Sequence, residues 1–82
     1  MVTLWLIVGA AWAGDVEDGD AAILTKDYAT ALRKYKNAAL KKDAYAQFQV
    51  GNMHHVGEGV VQDTAGAMRW FKLAAGSTTS HV

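Results

Sequence analysis

From Ala44 to Ala75 the apolar positions recur with the period of a helix. Ala46, Val50 and His54 stand at i, i+4 and i+8, and Ala67, Trp70, Phe71 and Ala74 at i, i+3, i+4 and i+7. One such stripe on each segment predicts two amphipathic helices folded back on one another. Between them, Gly57-Glu58-Gly59-Val60 reads as a turn with left-handed backbone. Asp63 precedes the second stripe, where its carboxylate can accept from the exposed N–H groups and sit at the positive end of the dipole. Gly51 falls in mid-helix, which costs roughly 1 kcal/mol against Ala. A close helix contact offsets that cost, with Ala67 and Ala74 as the small partners expected. Val60, apolar in a polar loop, is expected to plug the open end of the hairpin.

The segment from Asp15 to Leu40 carries a fainter copy of the pattern. At an offset of 36 residues, Asp27, Ala31, Arg33, Lys36, Ala38 and Ala39 fall on Asp63, Ala67, Arg69, Lys72, Ala74 and Ala75, and Tyr35 falls on Phe71. Self-similarity at this period is the signature of a helical solenoid. The first helices do not align at that offset, so the first hairpin is expected to keep both helices and join them by a loop four residues shorter. Its first helix lies around Val16 to Leu24, Thr25-Lys26-Asp27 turns the chain, and Lys41-Lys42-Asp43 joins the hairpins. The acids early in that first helix and the lysines near the end of the second both favour the helix dipole.

The spaced residues Ala44-x-Ala46-Gln47-x-x-Val50-Gly51, Gly57-x-Gly59-Val60-x-x-Asp63 and Ala67-x-x-Trp70-x-x-x-Ala74-Ala75 resemble a Sel1-like repeat, a longer-looped relative of the tetratricopeptide repeat. The resemblance covers about the last half of the chain. It departs at His54, where the family usually has Tyr, and at Lys42, where it usually has Gly. After Ala75 the chain reads Gly76-Ser77-Thr78, whereas the family places its closing Gly two residues later and then begins another repeat. The resemblance implies an all-α fold of helical hairpins from an α-solenoid, about one and a half to two repeats. It also implies a non-catalytic module that binds a protein or peptide partner. Gly19, Ala31, Tyr35 and Ala38 resemble the spacing of an ordinary tetratricopeptide hairpin.

The chain opens with an apolar run, residues 1–13, ending in Ala11-Trp12-Ala13 before it turns acidic at Asp15. That length and the A-x-A pattern read as a signal peptide, although no Lys or Arg stands near the start; the alternative is an apolar helix buried in the fold. The run is too short to span a membrane. The expected organisation is therefore residues 1–13 as signal peptide, 14–41 as a tetratricopeptide-like hairpin, 42–76 as the Sel1-like repeat and 77–82 as a short polar tail, in a secreted or periplasmic protein.

Composition narrows the chemistry. The 82 residues carry eight basic and eight acidic side chains, so no basic footprint for nucleic acid emerges. The absence of Cys excludes a disulfide framework and thiolate chemistry. It also leaves unsupported the β-lactam link associated with cysteine-rich Sel1-like proteins, and with it a hydrolytic or small-ligand reading. His54-His55 does not read as a metal pair, because adjacent helical residues diverge by about 100° and no further ligand completes a set. Gly57-x-Gly59 lacks the Lys and the preceding strand of a phosphate loop. No nucleophile–base set or carboxylate pair is legible, so no catalytic residue and no cofactor is assigned.

What remains is a stripe on the repeat's first helix, Tyr45, Phe48, Asn52 and His55, at i, i+3, i+7 and i+10. In the tetratricopeptide superfamily the first helix of each repeat lines the concave, peptide-binding surface. The resemblance therefore makes these four the expected partner-binding residues. The competing expectation packs Tyr45 and Phe48 on Tyr35 and Leu40 of the preceding hairpin. Two wider alternatives also stand: stacking on further repeats or a second copy, and a chain cut from a longer repeat array.

Overall fold

The computed structural model describes residues 14–79, with side chains as far as Gly76. The signal-peptide expectation on residues 1–13 and the last part of the polar tail lie outside the described residues. Among the described residues four helices follow one another: α1, described over residues 14–24, α2 (Tyr28–Leu40), α3 (Ala44–Val56) and α4 (Thr64–Thr79). Among the described residues there is no strand, and the fold is all-α. No described helix is long and apolar enough to cross a membrane.

Local chemistry punctuates the helices. Asp27, Asp43 and Asp63 each stand immediately before a helix and accept from its third residue: Thr30 N at 3.3 Å, Ala46 N at 2.9 Å and Gly66 N at 2.9 Å. Each cap satisfies one N–H that the helix itself leaves unpaired. The first two turns share one design. Lys26 and Lys42 take left-handed φ of 60° and 69°, and the next aspartate's N–H returns to Ala22 O and Ala38 O. Glycine normally serves that position, because a Cβ there is strained. The third turn uses Gly57 and Gly59, with φ of 78° and 74°, and spans residues 57–63. Asp63 N closes this longer loop by donating to His54 O at 2.8 Å. Val60 is half-buried there, whereas Val61 is exposed. At the other end, α4 runs on through Thr79, past the boundary drawn at residue 76.

The core is built mostly of alanine. Ala22, Ala31, Ala38, Ala39 and Ala46 surround Tyr35, Val50 and Met53, the largest fully buried side chains. Alanine lets helices approach closely but buries little area, so these three residues carry much of the apolar stabilisation, about 1.5–3 kcal/mol for an aliphatic of this size. The two mid-helix glycines, Gly19 and Gly51, play matching parts. A Cβ on Gly19 would lie 2.6 Å from the ring of Tyr35, and one on Gly51 would lie 2.7 Å from the ring of Phe71. Each glycine makes room for an aromatic ring from the paired helix. For Gly51 this replaces the expected partners: Ala67 and Ala74 are buried, but Phe71 and the Trp70 Cβ fill the space over the glycine. Trp70 itself is partly buried and packs against the core.

Candidate binding groove

Tyr45 and Phe48 begin one turn apart on α3 and face different neighbours. The Tyr45 ring meets the edge of Tyr35 at a centroid distance of 6.2 Å and an interplanar angle of 80°. Its hydroxyl donates to Asp20 Oδ1 on α1 at 2.9 Å. Phe48 instead leans on Phe71 of α4, with centroids 5.5 Å apart and planes tilted by 37°. The expectation that both pack on the preceding hairpin therefore holds for Tyr45 alone. Phe48 packs within its own hairpin, and Leu40 stands 76% exposed.

Neither aromatic is covered: Tyr45 is 46% and Phe48 50% exposed. Together with Ala44, Phe71, Ala74 and Ala75 they line an open, largely apolar groove of about 490 Å³ between the start of α3 and the end of α4. The antiparallel course of the two helices brings these segments together. Asn52 and His55 do not line it. Asn52 is half-buried and His55 exposed, both further along α3. The four-residue stripe thus divides into a groove-lining pair and two residues beyond it. Phe71, Ala74 and Ala75 are the part of the groove that the stripe omitted. Phe71 and Ala74 were legible only as the inward face of the second helix, and the pairing of helix ends decides that, with Ala75, they also form a wall.

Two side chains brace this region from behind. Gln47 is buried, and its Nε2 donates to Ala39 O on α2 at 3.2 Å, tying α3 to α2. Tyr35 is 1% exposed, and its hydroxyl donates to Asp20 Oδ1 at 2.5 Å. Burial, followed by the hydrogen bond to Asp20, pushes the Tyr35 phenol well above its ordinary range and keeps it neutral. Asp20 therefore receives two phenol hydroxyls on one oxygen. In the sequence it is one of the acids early in the first helix that favour the dipole, and its further role depends on a contact 25 residues away in the chain.

The remaining polar groups are dispersed. Lys34 Nζ lies 3.6 Å from Asp18 Oδ2, and Lys41 Nζ 3.8 Å from Asp15 Oδ2. These two lysines are thus paired with acids of α1, though solvent-accessible pairs of this kind contribute only about 0–1 kcal/mol. His54 is half-buried on the hairpin's inner stripe, and its Nδ1 is buried with no hydrogen bond among the described residues. Among the described residues no group of three His, Cys, Asp or Glu side chains could hold a metal ion.

Comparison with known proteins adds no identity: no family model, no curated protein and no solved structure matches the chain.

Proposed function

We propose that the chain is a Sel1-like, tetratricopeptide-type repeat module of about one and a half to two repeats that binds another protein through the Tyr45–Phe48 groove. It acts by shape and contact, without catalysis, after export to the periplasm or beyond. The observation that carries this reading is the groove itself: two half-exposed aromatics held in place by Tyr35, Asp20 and Phe71. Aromatic side chains bring large contact area with few rotors to freeze, so an open pair on a rigid backing is suited to recognition. The repeat reading is supported by the matched pairs Gly19–Tyr35 and Gly51–Phe71 and by the aspartates that cap α2, α3 and α4. The export reading rests on residues 1–13.

Phe48→Ala should abolish capture of a partner from a periplasmic extract while far-ultraviolet circular dichroism and mass in solution stay as in the wild type. His55→Ala, outside the groove, should leave capture intact. Equal capture by wild type and Phe48→Ala would overturn the reading.

A second reading comes from α2. Its Ala38, Ala39 and Tyr35 are buried, with Gln47 and Tyr45 of α3 reaching Ala39 and Tyr35, whereas Ala75 is exposed and Phe71 half-buried. A further helix of an array, or of a second copy, would fit over α4 as α3 fits over α2. Sedimentation of the wild type as a dimer that Phe48→Ala dissociates would favour it.

A further inference from the structure

Asp20 sits where the groove meets α1. Tyr45 belongs to both, since its ring lines the groove and its hydroxyl bonds the Asp20 carboxylate. Both phenol hydroxyls fall on Oδ1, so among the described residues Oδ2 has no hydrogen bond, and Asp20 is an exposed residue. Among the described residues its charge has no ion pair. Residues 14–24 hold four acids and no base, and the nearby lysines Lys34 and Lys41 are engaged with Asp18 and Asp15. The two hydroxyls orient the carboxylate without neutralising it. The result is a fixed anion beside a half-exposed aromatic ring, next to an apolar trough.

We propose that this surface takes a segment of a partner protein bearing a cationic side chain beside an apolar one: the cation on Asp20 Oδ2 and against Tyr45, the apolar group against the exposed edges of Phe48 and Phe71. The inference rests on the groove being a protein-binding surface and adds the chemistry of its partner. A guanidinium suits the place best. Its planar fork can donate to a carboxylate oxygen while its face lies on an aromatic ring. The attraction to the ring adds to that of the carboxylate where water is partly excluded. The apolar wall of Phe71, Ala74 and Ala75 rejects a second charge, because burying an unpaired ion there is unfavourable. An acidic segment would meet repulsion from Asp20.

The test is a nuclear magnetic resonance titration of the nitrogen-15-labelled full chain with two probes, acetyl-Phe-Arg-amide and acetyl-Phe-citrulline-amide, which differ in charge but hardly in shape. With the arginine probe, saturable shifts should centre on Asp20, Tyr45, Phe48 and Phe71. Affinity should be about fivefold weaker for the citrulline probe, the scale of one partly exposed ion pair. Asp20→Asn should remove that preference. Its amide oxygen still accepts from Tyr35 and Tyr45, and an unchanged melting temperature would show the framework kept. Rising salt should narrow the gap between the probes. Equal affinity of both probes at the groove residues would overturn the cation preference while leaving the groove a binding surface. Shifts confined to other faces, or a groove found occupied by a second copy of the chain, would overturn it together with the reading beneath it.

Discussion

In α1–α2 a glycine admits the ring of Tyr35; in α3–α4 a glycine admits the ring of Phe71, with nearly the same close approach. The two rings nevertheless end in different surroundings. Tyr35 is sealed, because α3 lies over it with Tyr45, and its hydroxyl reaches Asp20. Phe71 is half-buried and forms one wall of an open groove. The helix that follows decides whether an aromatic of this kind becomes core or the wall of an open groove. Its own hairpin treats it alike in both places.

The comparison breaks most visibly when the rings are removed. Tyr35→Ala should cost about 3–5 kcal/mol, the range for emptying a sealed aromatic site, and a chain this small has little more in reserve. Phe71→Ala should cost less than half as much, because water already reaches that ring. Chemical denaturation of both variants measures the difference. Equal losses would show that the groove is closed in solution.

Filling the glycines is the next test. Ala at either position gains roughly 1 kcal/mol of helix propensity and places a Cβ within 2.6–2.7 Å of a ring. Tyr35 cannot retreat, so Gly19→Ala should be destabilising by about 1–3 kcal/mol. Phe71 can tilt into the groove, and Gly51→Ala should come out close to neutral. The pair is read from melting temperatures. A reversal of the order would mean that Phe71 is the more tightly held ring.

The smallest effect is one of pH. Tyr35 is held neutral in the folded protein, whereas in the unfolded chain it ionises near pH 10. Its stabilising contribution is therefore complete below pH 10 and is lost progressively as pH rises above it. Phe71 has no such group. Stability should fall more steeply above pH 10 in the wild type than in Tyr35→Phe, as followed by denaturant midpoints. Parallel curves would place the Tyr35 hydroxyl in water.

The second hairpin was legible because its helices carry their own signals: the stripes Ala46/Val50/His54 and Ala67/Trp70/Phe71/Ala74, the aspartate before α4 and the glycines after α3. The turn chemistry of Lys26 and Lys42 was not, since lysine has no preference for left-handed backbone and is held there by the returning aspartate N–H. The expected stripe on α3 was legible as periodicity alone. Periodicity places Tyr45, Phe48, Asn52 and His55 along one side of α3. It cannot say that α4 runs antiparallel so as to wall off only the first two. Asp20 was out of reach for the same reason: nothing local in the acidic start of α1 marks the one carboxylate that two tyrosines from other helices will find.

That shared carboxylate has a consequence for how the molecule opens. Tyr35 on α2 and Tyr45 on α3 both end on one oxygen of α1. Undocking α1 breaks both bonds together, and lifting α3 away breaks one and unseats Gln47 from Ala39. The first three helices therefore share a single opening event, and their slowest-exchanging amide hydrogens should report the same free energy. The end of α4, past Phe71, has an exposed flank at Ala75 and Gly76, and its amides should exchange first by local fraying.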